Sequence, residues 1–95
     1  MFGIRKPMFD DIRIAFETMG DADNTYNWMY NEINKNSQVS TKKLFDKLEL
    51  PGNNVCSYHL GWKTMRNIHI ESTDDGYAIL CLPCPKKIRP NKEDI

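Results

Sequence analysis

Long apolar runs are missing from this sequence. The longest, from Tyr77 to Leu82, is six residues, far short of the roughly 18 that span a bilayer. The first residues, MFGIRKPMFDD, hold no apolar stretch of signal-peptide length and turn acidic at once. Both absences exclude a membrane role at the level of sequence and imply a cytoplasmic protein. Cysteine is scarce, with three in 95 residues. Three is too few for a disulfide scaffold, so free thiols or metal ligands are expected. There is no glycine-rich phosphate loop and no metalloprotease motif. No carboxylate pair is placed for acid–base work, so no enzyme activity is expected.

Acidic residues are also missing, but only locally. Net charge is zero, with 13 basic and 13 acidic side chains, which by itself speaks against a dedicated DNA binder. Yet residues 50–70 contain no acid at all. Residues 35–70 hold six basic and two acidic side chains (6 − 2 = +4), whereas residues 1–34 hold three and six (3 − 6 = −3). A local basic stripe can serve a phosphate backbone even in a neutral chain. Nine asparagines and few alanines fit an AT-rich genome, such as that of a phage or mobile element.

The length suits one domain. Residues 7–20 read as an N-terminal helix, with Met8, Ile12, Ala15, Phe16 and Met19 at helical spacing and Gly20 as its stop. A second helix is capped by Asp23 or Asn24 and runs to about Lys35, with Tyr26, Met29, Tyr30 and Ile33 as its stripe. A third starts at Ser40 or Thr41, buries Leu44, Phe45 and Leu48, and stops at Pro51-Gly52. The next segment, 55–66, has two readings. Val55, Tyr58, Trp62 and Met65 are spaced as one helix face, and Asn53 or Asn54 offers a cap. Cys56, Tyr58, Leu60 and Trp62 alternate as a half-buried strand would. We favour the helix. Residues 67–82 read as a β-hairpin around Asp75-Gly76. A two-residue turn there sets Asp74 opposite Tyr77, Ile70 opposite Cys81 and Ile68 opposite Pro83. Residues 85–95 read as a flexible polar tail.

The fold class is therefore α+β: N-terminal helices, a helix-turn-helix and a C-terminal hairpin. In that order residues 24–83 resemble the winged helix-turn-helix superfamily. The resemblance implies a scaffold helix at 25–35, a crossing helix at 40–50, a reading helix at 55–66 and a wing tip at 73–76. It implies DNA contacts from Ser57, Lys63 and Thr64 on the reading helix, with Lys42, Lys43 and Arg66 on the phosphate backbone. Leu60 on the exposed face, Gly61 within the reading helix and the acidic wing tip depart from the pattern. The expected function is a small non-catalytic regulator that binds double-stranded DNA. The alternative is an effector that binds and blocks a host protein. The helix from Met8 to Met19 lies outside the three-helix core and is a natural homodimer element.

A second constellation is Cys56-x₂-His59 with Cys81-x₂-Cys84. Three soft sulfurs and an imidazole are a tetrahedral zinc set. His69 is a substitute ligand. The favoured reading asks for no cofactor, with Cys56 and Cys81 packed in the core and Cys84 at the strand end, and zinc is the alternative. Cys81-x₂-Cys84 ends a strand and meets prolines, unlike a redox motif at a helix N-terminus.

Overall fold

Ile12, Ile14 and Phe16 alternate with Arg13, Ala15 and Glu17, and that alternation decides the start of the chain. The computed structural model describes residues 11–52 and 56–90. Its first element is strand β1 (Ile12–Phe16), followed by helix α1 (Met19–Asn36), strand β2 (Val39–Ser40) and helix α2 (Thr41–Lys47). Four strands then follow: β3 (Leu60–Trp62), β4 (His69–Ser72), β5 (Ala78–Leu82) and β6 (Lys86–Lys87). The fold is mixed α+β, with two helices and two antiparallel three-stranded sheets, ordered β1-β5-β4 and β2-β3-β6.

The expected helix at 7–20 is corrected over its described part. A helix there would leave Ile14 on its polar side. The strand turns Ile12, Ile14 and Phe16 to one face, where Ile14 lies opposite Leu80 and Phe16 opposite Ala78. The homodimer element assigned to Met8–Met19 loses its helix with this change, and residues 7–10 lie outside the described residues.

α1 lies across that face, packing on β5, β1 and β4. Its buried stripe is Ala22, Thr25 and Met29, one face of a helix. The helix begins earlier than expected. The Thr18 hydroxyl, in extended backbone, accepts from the Asp21 amide at 3.1 Å and so satisfies one free amide of the first turn. Gly20 therefore sits inside the first turn instead of ending a helix. Ser37 closes α1 in the left-handed region (φ 71°), its amide donating to Ile33 O at 2.8 Å.

α2 begins where the sequence places it. The Ser40 hydroxyl accepts from the Lys43 amide at 3.0 Å, and Leu44 and Phe45 are buried. Ser40 is itself buried, so water cannot replace the bond. Ser40→Ala should cost about 1 kcal/mol in urea unfolding. An unchanged midpoint would show that the cap contributes nothing.

The segment favoured as a reading helix is the second correction. Residues 53–55 lie outside the described residues, and the rest is a turn followed by β3. The backbone of Ser57 explains why. Thr41 Oγ1 accepts from the Ser57 amide at 2.8 Å and donates to Ser57 O at 3.0 Å. The first-turn amide of Lys42 donates to the same carbonyl at 3.3 Å. Ser57 thus serves the open end of α2, and β3 pairs on both edges, with β2 and with β6. A helix over 55–66 would forfeit all of these bonds. Trp62 still turns inward, 5% exposed, with its indole Nε1 donating to Pro83 O at 2.9 Å.

The expected tail at 85–95 is the third correction over its described part; residues 91–95 lie outside the described residues. Lys86 lies opposite Gly61 and Lys87 opposite Leu60. The Ile88 amide donates to His59 O at 2.9 Å, and the Gln38 side chain donates to Arg89 O. Ile88 is buried.

The hairpin forms where expected, one residue out of the expected register. Ile70 lies opposite Leu80 and His69 opposite Cys81. The loop has three residues, Asp74, Asp75 and Gly76, not two. The Gly76 amide donates to Thr73 O at 3.1 Å and the Thr73 amide to Tyr77 O at 2.9 Å. Gly76 takes φ +90°, the left-handed position that a three-residue hairpin loop gives to glycine. A slip of one exchanges the two faces of a strand. Here it carries His69, Glu71 and Cys81 together to the outer face.

Candidate nucleic-acid interface

The predicted DNA-contacting residues divide into three groups. Lys43 lies between the helices, its Nζ 3.1 Å from Glu32 Oε1, where it ties α2 to α1. Lys42 is paired along its own helix with Asp46 at 2.9 Å. That hydrogen bond and charge hold its ammonium above the ordinary lysine range. Lys42 and Ser57 line one cleft, with Cys56, Tyr58, His59, Arg89 and Pro90. Lys63, Thr64 and Arg66 line another.

That other cleft is built by the connection between β3 and β4. Beyond Trp62 the chain makes a tight turn, with the Ile68 amide donating to Met65 O at 3.0 Å. The Thr64 hydroxyl accepts from the Arg66 amide at 3.1 Å, and Asn67 takes a left-handed φ of 68°. Lys63, Thr64, Arg66 and Asn67 are all exposed. Lys86 from β6 faces them across the cleft, whose floor includes Trp62, Pro83 and Cys84. The cleft encloses about 370 Å³, and among the described residues no carboxylate lines it. The residues come together on a loop and an edge strand, not on a helix.

No family model, curated protein or solved structure matches this chain.

Lys86, Lys87 and Arg89 escaped the sequence reading. The sequence does carry a signal for them: Lys86-Lys87-Ile88-Arg89 places one apolar residue among three cations. In the structure the apolar residue is buried and the three cations are exposed. The described chain from residue 83 to 90 contains no acid. β6 therefore presents a cationic edge beside β3, and the chain beyond it contributes Arg89 to the first cleft.

The alternative zinc set, Cys56, His59, Cys81 and Cys84, does not assemble. Cys56 and His59 line the first cleft, Cys84 the second, and Cys81 sits on the outer face of the β1-β5-β4 sheet. Among the described residues, the group of three or more liganding side chains that converges is His69, Glu71 and Cys81. The substitute ligand His69 is thus placed beside Cys81, without Cys56, His59 or Cys84. Also among the described residues, no helix is long and apolar enough to cross a membrane.

Proposed function

We propose that this protein is a small non-catalytic binder of double-stranded DNA that holds the phosphate backbone through the β3–β4 connection and β6. One observation carries the reading: Lys63, Arg66 and Lys86 line a single cleft that no carboxylate among the described residues lines, and Lys87 and Arg89 extend the same charge along the chain. Arg66 offers a planar fork that matches two phosphate oxygens, and the lysines act as mobile point charges. Thr64 and Asn67 supply neutral hydrogen-bonding groups at the same cleft.

The described elements run α1, β2, α2, β3 and then the hairpin, which is not the helix-turn-helix order of a winged domain. What they lack is a rod to enter the major groove. Phosphate contacts fix position without reading sequence, so this surface favours affinity over base recognition. An architectural or regulatory role in a phage or mobile element suits such a surface and the asparagine-rich composition.

Fluorescence anisotropy with a labelled duplex tests the proposal. Three phosphate contacts predict a plot of log K against log salt with a slope of about −2.7, and five predict about −4.5. The triple variant Lys63→Glu, Arg66→Glu, Lys86→Glu should remove about 2.7 units of that slope and most of the low-salt affinity. No duplex binding at low salt in the parent chain would overturn it. That outcome would favour a host-protein partner, for which Tyr30 and Tyr77, 52% and 49% exposed, offer aromatic surface away from the basic clefts.

A further inference from the structure

The geometry points to a zinc-type divalent cation site on the outer face of the β1-β5-β4 sheet, held by His69, Glu71 and Cys81. His69 and Glu71 are two apart on β4, so they share a face. Cys81 lies directly opposite His69 on β5, the central strand. Side chains so related approach to about 4.5–5.5 Å at Cβ. One ligand atom from each of the three lies within 4.8 Å of the other two. His69 Nε2 and Glu71 Oε2 are already hydrogen-bonded at 2.9 Å.

Tetrahedral zinc, with bonds of about 2.0–2.1 Å to nitrogen, 2.0–2.2 Å to oxygen and 2.3 Å to sulfur, spaces its ligand atoms roughly 3.3–3.7 Å apart. The His69–Glu71 contact of 2.9 Å is shorter than that range, and the other ligand atoms lie within 4.8 Å. His69 and Glu71 are more than half exposed, so both side chains have room to adjust. Cys81 is 7% exposed and is fixed by its strand. A rigid anchor with two adjustable partners is a workable metal scaffold.

The chemistry of the donors is consistent. A thiolate, an imidazole and a carboxylate are all zinc ligands, and three protein ligands leave the fourth position to water. The site opens into a cleft of about 320 Å³ that is also lined by Asp11, Arg13 and Asn67. Without metal, burial and the Glu71 carboxylate keep the Cys81 thiol protonated, above the usual thiol range. The hydrogen bond to His69 holds Glu71 below the usual carboxylate range. Metal binding would replace the thiol proton, which passes to solvent. Zinc balances the two anionic ligands. An ordinary surface ion pair would need only His69 and Glu71, and would leave unexplained why a cysteine faces them.

Cobalt(II) titration of the full chain, freed of metal by chelation, tests the site. One equivalent should produce a thiolate-to-cobalt charge-transfer band, and zinc should abolish it by competition. His69→Ala and Glu71→Gln, both at exposed positions, should weaken cobalt binding by at least the roughly 10–100-fold that loss of a supporting partner costs. Cys81→Ser should remove the band, whereas Cys56→Ser and Cys84→Ser should keep it. Zinc should also raise the unfolding midpoint of the parent chain but not of His69→Ala. The assignment fails if no band forms, if the band survives His69→Ala at full affinity, or if it depends on Cys56 or Cys84.

Discussion

Gly61→Ala should cost about 3 kcal/mol or more, at or above the upper end of ordinary overpacking. A Cβ at this position would lie 2.1 Å from Val39 O, 2.8 Å from Ser40 Cα and 2.9 Å from Val39 C. All three are backbone atoms of β2, so no rotamer change relieves the clash. β2 has only two residues and leads directly into α2. Pushing it away would disturb Val39 and Ser40, both buried, and the start of α2. Domains of this kind have a total stability of about 5–15 kcal/mol, so the variant would lose a large share of it. Gly20 is the control. A Cβ there meets only Thr18 Oγ1, at 3.8 Å, within the first turn of α1. Gly20→Ala should be neutral or stabilise by up to about 1 kcal/mol. Urea unfolding followed by circular dichroism measures both. A parental midpoint for Gly61→Ala would mean that β2 does not cross Gly61 at this distance.

Trp62→Ala should cost about 3–5 kcal/mol, the usual range for emptying a buried aromatic site. The indole lies in the core with Ile14, Met29, Val39, Leu44, Phe45, Ile68, Leu80 and Leu82. It also satisfies the Pro83 carbonyl, so its loss opens a cavity and frees a carbonyl at once. Trp62→Phe separates the two effects. It keeps most of the volume and removes the donor, and should cost about 1–3 kcal/mol for the unpaired carbonyl and the smaller ring. Equal losses for alanine and phenylalanine would assign the whole effect to the hydrogen bond. No loss in either variant would place the tryptophan outside the core.

The two helices and the hairpin were legible because their signals are local. Ser40 caps α2 as its position suggests, and Gly76 is the residue that a left-handed loop position needs. The start of α1 was misplaced, because its cap, Thr18, falls within the expected helix at 7–20, which leaves Asp23 or Asn24 as the expected cap. The register was not legible, because Asp75-Gly76 suits both a two-residue and a three-residue loop. β1 and β3 were misread because each carries two periodicities. Ile12 and Phe16 suit a helix face and a strand face alike, and so do Tyr58 and Trp62. The choice belongs to distant partners, Leu80 for Ile14 and Val39 for Trp62. β6 was missed because two lysines before an isoleucine resemble a solvated tail until β3 is known to lie beside them. At the basic surface, Lys63, Thr64 and Arg66 share a cleft because they are close in sequence. Lys42 and Lys43 diverge because each has an acidic neighbour, Asp46 or Glu32.

β5 occupies the middle of its sheet, yet it is made late. Its partner Ile12 precedes Leu82 by 70 residues (82 − 12), and β2 must wait for β3 and then β6. Such distant pairings slow closure. During synthesis on a ribosome, β1 and α1 emerge with no central strand to cover their apolar face. This protein therefore completes its core only after the chain up to Ile88 has left the exit tunnel.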